Sequence, residues 1–282
     1  MILGADGFIG SRLYMLFKSE GREVIGTSFL PDATGTLLHV DIRQPNKKLL
    51  MAVSEASHVI CAISGGGIDD CAADSIATRC VNVEAIKNIL RKANSQTVPV
   101  YLSSNMIFSG EKDGYTEDEV PHPSTEYGRQ KLEVETWIQK KFPRHVIVRL
   151  TKVYGLGLDD ATLFSGWHKA LMAGEPIKAI EDMVVAPVFV GDVAQAILSL
   201  VQQDEVGIFH MAGPVSASFF ELAVGATRAW KLPSGLVEKV QRADFVWQEK
   251  RPYWHTLAVT GKIATLQKSF LTPEQAWVCY LP

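Results

Sequence analysis

The sequence predicts an α/β fold in which a doubly wound parallel sheet is followed by a small C-terminal lobe. Three observations predict it. Short apolar runs alternate with helical patterns in the first half of the chain, a glycine-rich turn opens the first helical pattern, and the alternation loosens after Leu150. Alternating strands and helices imply parallel strands joined by right-handed crossovers and covered by helices on both faces. With a glycine turn after the first strand, this arrangement is of the Rossmann type.

The individual elements follow from local patterns. Apolar runs bounded by turn residues predict strands at 23–27, 36–40, 58–62, 98–103 and 145–150. Helical periodicity predicts helices at 8–19, 74–93 and 124–141. In the second helix, apolar residues recur at three- and four-residue steps, as one buried face would. They are Ile76, Cys80, Val83, Ile86 and Leu90.

Composition and charge narrow the class of partner. The 282 residues carry a net charge of −3, which gives no electrostatic reason to expect nucleic acid or an anionic membrane. No apolar run approaches the roughly 20 residues that span a bilayer, and no signal peptide precedes the glycine turn, so we expect a cytoplasmic protein. The four cysteines match no zinc or redox spacing, and no metal site is expected.

The turn Gly4-Ala-Asp-Gly7-Phe-Ile-Gly10 has the spacing G-x-x-G-x-x-G, one residue longer than the usual dinucleotide fingerprint. Glycines between a strand and a helix let the backbone approach a pyrophosphate and aim the helix N-terminus at its charge. The residues expected to hold the pyrophosphate of NADP or NAD are Gly4, Gly7, Phe8, Ile9 and Gly10. Only three residues precede this turn, so we expect the first strand to be unusually short or trimmed.

The end of the second strand bears on the choice of cofactor, because a carboxylate there usually binds the ribose 2′-hydroxyl of NAD. The stretch Gly26-Thr27-Ser28-Phe29 has no carboxylate. Thr27 and Ser28 could bond a 2′-phosphate, although no arginine is present there to clamp it. NADP is therefore favoured slightly over NAD. After the third strand, Asp41 and Ile42 are placed to contact the adenine, although Asp41 could almost as well cap a loop.

Tyr127 and Lys131 are four residues apart in a predicted helix, so their side chains share one face. A phenol, with an ordinary pKa of about 10, is a poor acid-base group at neutral pH, but a neighbouring ammonium would stabilise the phenolate. Ser104 ends a predicted strand, and its hydroxyl could bond the same carbonyl oxygen as Tyr127. These three residues predict acid-base catalysis at a carbonyl group. Asn82 is expected to bond backbone near the fourth strand.

These motifs divide the chain into two predicted parts. We expect a dinucleotide-binding domain at residues 1–150 and a mainly substrate-binding lobe at 151–282, with 187–212 returning to the main sheet. The lobe is predicted to contain a helix at 162–173, a strand at 187–190, a helix at 191–201 and a strand at 207–211.

Several longer segments carry a family resemblance. They are Tyr101-Leu-Ser-Ser-Asn-Met-Ile-Phe-Ser-Gly110, Gly114-Tyr-Thr-Glu-Asp118, Val148-Arg-Leu-Thr-Lys-Val-Tyr-Gly155, Pro187-Val-Phe-Val-Gly-Asp-Val-Ala194 and Gly207-Ile-Phe-His-Met-Ala-Gly213. With the Tyr-Lys pair, they resemble the extended short-chain dehydrogenases of the NAD-dependent epimerase/dehydratase superfamily, and within these the dTDP-4-dehydrorhamnose reductase group.

The resemblance implies hydride transfer from NADPH or NADH to the 4-keto carbon of a nucleotide-linked sugar. It implies that Ser104, Tyr127 and Lys131 are catalytic, and that Tyr127 and Lys131 also contact the cofactor. By analogy with the superfamily, the helices at 74–93 and 124–141 could form a homodimer.

The sequence departs from the group at three positions. Asn105 and Met106 replace the usual Asp and Tyr, and Lys152 is unusual where the substrate site begins. Two alternatives therefore stay open. One is a sugar-nucleotide epimerase with tightly bound NAD. The other is an NADP-binding regulatory subunit that catalyses no reaction, like the β-subunit of methionine adenosyltransferase.

Overall fold

The computed structural model describes residues Met1–Pro31 and Thr34–Tyr280, so the last two residues of the predicted 151–282 lobe lie outside the described residues. The strands are β1 (Ile2–Leu3), β2 (Thr27–Ser28), β3 (Leu38–His39), β4 (His58–Cys61), β5 (Val98–Ser104), β6 (Val146–Leu150), β7 (Val153–Tyr154), β8 (Ile177–Ile180), β9 (Val184–Val185), β10 (Val188–Phe189), β11 (Gly207–Met211), β12 (Ala217–Ser218), β13 (Val237–Val240) and β14 (Trp254–His255).

The helices alternate with the strands of the main sheet and then cluster toward the C-terminus. They are α1 (Phe8–Ser19), α2 (Lys47–Glu55), α3 (Ile68–Ala73), α4 (Ser75–Arg79), α5 (Ile86–Leu90), α6 (Glu126–Lys141), α7 (Leu163–Met172), α8 (Val190–Gln202), α9 (Phe219–Ala229), α10 (Gly261–Gln267) and α11 (Pro273–Val278). A π-helical segment, Cys80–Ala85, joins α4 to α5, and short 3₁₀ turns lie at Asn105–Ile107, Ser234–Leu236 and Arg242–Asp244.

The chain forms two compact units, of which the first comprises residues 1–108, 120–149 and 194–209. The main sheet has the order β1-β4-β5-β6-β11, and the pairs β1–β4 and β4–β5 are parallel. A parallel bridge from Ile2 to Gly26 connects this sheet to the parallel pair β2–β3. The order reverses at β1, which is the switch point where α/β sheets bind ligands. The prediction of an α/β fold on a central parallel sheet is confirmed.

The second unit comprises residues 109–119, 150–193 and the chain from 210 onward. Its strands form small separate sheets, β10–β7, β12–β9–β14 and β13–β8. Its core is aromatic: Phe164 packs against Tyr154 at 4.8 Å and Trp277 at 5.7 Å between ring centroids. The boundary at residue 150 stays a prediction, because segments of the two units alternate along the chain.

The helical pattern at 74–93 is the clearest difference from the sequence expectation. Ile76 is 78% exposed and Cys80 is also exposed, whereas Val83 and Ile86 are fully buried. The prediction of one continuous apolar face was therefore wrong over its first half. The π-helical segment Cys80–Ala85 explains this difference. Its i→i+5 turns rotate the buried face relative to that of a continuous α-helix, so the residues before and after it do not share one face.

Two further features bear on the expectations of chemistry and location. Within residues 1–31 and 34–280, no helix is long and apolar enough to cross a membrane. The same residues contain no group of three or more His, Cys, Asp or Glu side chains placed to hold a metal ion. All four cysteines are free, with Cys61 and Cys71 buried.

Candidate active site

The glycine turn between β1 and α1 is built on two positions that exclude a side chain. Gly4 has φ +78°, a left-handed conformation that favours glycine. A Cβ at Gly10 would lie 1.9 Å from the carbonyl oxygen of Gly4, so the first turn of α1 packs directly on the backbone before it. The Gly7 N–H closes the turn by donating to the Gly4 carbonyl at 3.1 Å. The turn is therefore narrow, with no space for a side chain at Gly4 or Gly10.

A cleft of about 350 Å³ opens at this turn. Its lining comes from the glycine turn, the ends of β2 and β3 and the loop after β4. The lining residues are Gly4, Asp6, Gly7, Thr27, Phe29, Val40, Asp41, Ile42, Arg43, Ala62, Ile63, Ser64, Gly65 and Val81. Gly7 is the N-cap of α1 and supplies no side-chain cap, so the first amides of α1 are available to an anion. Phe8 and Ile9 begin α1 and are partly buried, but they do not line this cleft.

Ser28 lies in β2 and is buried. Its single hydroxyl proton is shared between the Asp6 carboxylate at 2.9 Å and the Leu30 carbonyl, and Ser28 is not among the residues that line the cleft. The neighbouring Thr27 does line the cleft, and its hydroxyl oxygen accepts from the Gly4 N–H at 2.9 Å. Both hydroxyls that the sequence suggested as ligands of a 2′-phosphate, those of Ser28 and Thr27, thus already take part in hydrogen bonds within the protein.

Asp41 and Ile42 line the cleft, as the predicted adenine contact requires. The Asp41 carboxylate receives hydrogen bonds from the Arg43 guanidinium, from Nε at 2.9 Å to Oδ1 and from Nη2 at 2.7 Å to Oδ2. The hydrogen bond to this guanidinium lowers the pKa of Asp41. Arg43 also lies over the Phe29 ring, 5.7 Å from its centroid. Sequence reasoning sought an arginine only at the end of β2 and missed Arg43, which follows β3 two residues after Asp41.

Tyr127 and Lys131 lie on α6, whose N-cap Thr125 accepts a hydrogen bond from the Gly128 N–H at 3.2 Å. Lys131 is buried, and its ammonium donates to the Leu102 carbonyl in β5 at 3.1 Å. The same ammonium lies 5.5 Å from the centroid of the Tyr127 ring. The structure therefore brings the two residues together with the cation held beside the phenol.

Ser104 is the last residue of β5 and the N-cap of the 3₁₀ turn Asn105–Ile107. Its hydroxyl oxygen accepts from the Met106 N–H at 3.2 Å, and its proton is directed to the Asn105 side-chain oxygen at 3.3 Å. The 3₁₀ turn packs against α6 so closely that a Cβ at Gly128 would lie 2.0 Å from the Met106 carbonyl oxygen. This contact fixes the turn after Ser104 against the helix segment that carries Tyr127.

Asn82 lies in the π-helical segment and joins the cleft to α6. Its side-chain oxygen accepts from the Gly65 N–H at 2.6 Å, just after β4, which confirms the predicted backbone contact. Its side-chain nitrogen donates to Gln130 at 2.9 Å, and Gln130 in turn donates to Thr78 at 3.2 Å. The buried face of helix 74–93 is polar at this point, and it connects the loop that lines the cleft to the helix that carries Lys131.

A second phenol, Tyr101, lies close to the Tyr127 and Lys131 pair. The Lys131 ammonium is 5.3 Å from the centroid of the Tyr101 ring. Tyr101 is fully buried, and among the described residues its hydroxyl has no hydrogen-bond partner. Burial, followed by the charges that Tyr127 and Glu135 can carry, raises the pKa of Tyr101 well above the ordinary value. Tyr101 therefore stays neutral, and Tyr127, which is only partly buried, is the more accessible of the two phenols.

Comparisons with known proteins identify a family that matches nearly the whole chain, and several similar proteins. Residues 1–281 match the family described as the RmlD substrate binding domain. A relative in Haloferax volcanii, a probable low-salt glycan biosynthesis reductase, is 30% identical over 219 residues, which cover 75% of this chain and 73% of the relative. The β-subunit of methionine adenosyltransferase 2 from Xenopus laevis is 24% identical over 253 residues, covering 83% of this chain and 72% of that protein.

Solved structures show the same fold. A dTDP-4-dehydrorhamnose reductase from Clostridium acetobutylicum superimposes with a TM-score of 0.86 at 23% identity, covering 99% of this chain and 96% of that one. The dTDP-4-dehydrorhamnose reductase from Bacillus anthracis in complex with NADP gives a TM-score of 0.83 at 21% identity, covering 98% and 95% of the two chains. The resemblance found in the sequence is confirmed at the level of the family.

Proposed function

The chain belongs to the family of the RmlD substrate binding domain, and on this premise we propose that it is a NAD(P)-dependent reductase acting on a keto group of a nucleotide-linked sugar. The probable reductase from Haloferax volcanii and the NADP complex from Bacillus anthracis support this class of reaction and cofactor. The observation that carries the proposal is the Lys131 ammonium, which is held by the Leu102 carbonyl 5.5 Å from the centroid of the Tyr127 ring.

The residues around the glycine turn fit a dinucleotide. The close approach of Gly10 to the Gly4 carbonyl places the N-terminus of α1 directly against the turn, and Gly7 leaves the first amides of α1 without a side-chain cap, so these amides could bind a pyrophosphate. Asp41 and Ile42 line the same cleft and would face the adenine. When bound, the nicotinamide supplies a hydride to the carbonyl carbon of the substrate.

The chain's own residues would supply the proton and orient the carbonyl. We assign Tyr127 as the donor whose O–H proton passes to the carbonyl oxygen as that oxygen gains negative charge. The Lys131 ammonium stabilises the phenolate that this transfer leaves behind. Ser104 would donate a second hydrogen bond to the same oxygen. To do so, its hydroxyl must turn from the Asn105 side chain, to which it donates over a long 3.3 Å.

The test is oxidation of NADPH and NADH by the purified protein against a panel of nucleotide-linked 4-keto sugars. Consumption of either cofactor with one sugar supports the reductase. Protein that retains stoichiometric NAD and interconverts sugars without net oxidation would instead indicate an epimerase. Tight dinucleotide binding without turnover of any sugar would favour a regulatory role, as in the methionine adenosyltransferase β-subunit to which the chain is similar.

Two expectations from the sequence stay predictions. A homodimer through the helices at 74–93 and 124–141 can be checked by sedimentation equilibrium, which should give twice the mass of the chain. The cytoplasmic location can be checked by fractionation of the source cells.

A further inference from the structure

Asp6 belongs to the glycine turn, but its carboxylate lies at the carboxyl end of β2. One of its oxygens, Oδ2, accepts from the Ser28 hydroxyl at 2.9 Å and from the Phe29 N–H at 2.9 Å. These two donors hold the carboxylate at the position where the sequence of β2 itself supplies none. The position matters because a carboxylate at the end of the second strand is the group that contacts the adenosine ribose in this type of sheet.

The carboxylate of Asp6 is accessible from the cleft. Asp6 is exposed and lines the cleft together with Gly4, Gly7 and Phe29. Within the described part of the chain, both hydrogen bonds to Asp6 end on Oδ2, so Oδ1 keeps its lone pairs for a ligand. A dinucleotide whose pyrophosphate sits on Gly4 and Gly7 would bring its adenosine ribose to this side of the turn.

The charges of the cleft favour a neutral ribose. Among the described residues that line it, three are charged: Asp6, Asp41 and Arg43. The Arg43 guanidinium bonds both oxygens of Asp41 through Nε and Nη2, so the charges of these two residues offset each other. Asp6 is left as the uncompensated charge. A 2′-phosphate would therefore enter a cleft whose described lining carries a net negative charge.

We propose that Asp6 binds the adenosine ribose of the cofactor and makes the site selective for NAD(H) over NADP(H). The inference rests on the proposed function, and it reverses the slight preference for NADP that the sequence of β2 suggested. A carboxylate accepts hydrogen bonds from ribose hydroxyls, and such charge-assisted bonds are the stronger kind. The same carboxylate repels a phosphate at the 2′ position, so one residue both favours one cofactor and rejects the other.

The experiment is a pair of fluorescence titrations of the full chain with NADH and with NADPH. We expect the unaltered protein to bind NADH at least about tenfold more tightly than NADPH. In Asp6→Asn the ratio should fall by about tenfold or more, because NADH loses an anionic acceptor and NADPH loses a repulsive charge. Asp204→Asn makes the same chemical change at an exposed aspartate paired with Arg144, and it should leave the ratio unchanged.

The variant Arg43→Gln tests whether Asp6 or Arg43 determines the preference between NADH and NADPH. If Asp6 sets the choice, Arg43→Gln should alter the affinities for NADH and NADPH in parallel. A loss confined to NADPH would assign the 2′-phosphate to Arg43 and overturn the proposal. So would an unaltered protein that binds NADPH as tightly as NADH, or an Asp6→Asn variant that keeps the original ratio.

A competition experiment on the unaltered protein covers the case in which Asp6→Asn fails to fold. Adenosine 5′-monophosphate should displace NADH at lower concentration than adenosine 2′,5′-bisphosphate, and the reverse order overturns the proposal. If neither NADH nor NADPH binds, the proposed function fails together with this inference. If NADPH binds more tightly and supports turnover, only the inference fails.

Discussion

Gly128 on α6 approaches Met106 so closely that a Cβ at position 128 would lie 2.0 Å from the Met106 carbonyl oxygen. Gly128 directly follows Tyr127, and Met106 lies two residues after Ser104. The backbone contact therefore limits how close α6, which carries the proposed proton donor Tyr127, can come to the end of β5, which carries Ser104. No residue with a side chain fits there without moving one of the two.

The first prediction concerns this contact. Gly128→Ala should lower the free energy of unfolding by about 1–3 kcal/mol, because the added methyl forces the backbones apart. Turnover should fall more than stability alone explains, since Tyr127 and Ser104 separate. Urea denaturation measures the free energy of unfolding, and steady-state kinetics measure turnover. Gly166→Ala is the matched control: Gly166 lies within α7, and beyond its own stretch of helix a Cβ there would meet no neighbour within 4 Å, so alanine should stabilise the protein by about 0.5–1 kcal/mol. Equal stability of the Gly128→Ala and unaltered proteins would contradict the account.

The second prediction concerns the buried ion pair of Glu135 on α6 with Arg149 on β6. The side chains are 0% and 2% exposed, and Nη2 of Arg149 lies 3.0 Å from Oε2 of Glu135. Glu135→Gln should cost about 3–5 kcal/mol of unfolding free energy, because it removes the carboxylate that faces a buried guanidinium charge. Asp204→Asn breaks an exposed pair with Arg144 and should change stability little. If Glu135→Gln and Asp204→Asn lose similar amounts of unfolding free energy, burial does not make the first pair more important for stability, and the prediction is contradicted.

The third prediction concerns pH and His255. Burial, with a further contribution from the positive charges of Lys152 and Arg251, lowers the pKa of His255 to about 4. An unfolded histidine titrates at about 6.5, so between these values the unfolded state binds the proton more readily. The contribution of His255 to the free energy of unfolding is therefore most favourable above about pH 6.5. It is lost as the pH falls toward about 4. In His255→Gln the free energy of unfolding should fall less steeply over this interval than in the unaltered protein. Curves that stay parallel from pH 8 to pH 4.5 would contradict this assignment.

The sequence predicted the elements whose signal is apolar burial. Helix α1 runs over the predicted residues, Phe8–Ser19, and β4 and β5 begin where their apolar runs begin, at His58 and Val98. Tyr127 and Lys131 were predicted together because a four-residue spacing on a helix fixes their shared face. Most of the segments that carry the family resemblance also include a strand, such as β5, β6 or β11, whereas 114–118 lies outside the named strands and helices.

Polar burial and long-range side-chain direction were not predictable in this way. The buried face of helix 74–93 includes Thr78 and Asn82, which bond Gln130, so a search for apolar periodicity assigned the face to Ile76 instead. Asp6 occupies an unspecified position of the glycine motif, and nothing in the local pattern shows that its carboxylate reaches Ser28, 22 residues away. Such contacts depend on how strands meet in the sheet, which single-sequence patterns leave open.

The measurement that tests the central claim most directly is turnover by Tyr127→Phe, with the sugar that the panel identifies, alongside the dinucleotide affinity of the same variant. We expect kcat to fall by about 10²–10⁴-fold or below detection, because the proton donor is lost, while cofactor affinity stays nearly unchanged. Tyr14→Phe, which removes a phenol with only a long 3.4 Å bond to the Thr36 carbonyl, should retain full activity. Full activity in Tyr127→Phe would contradict the proposed mechanism.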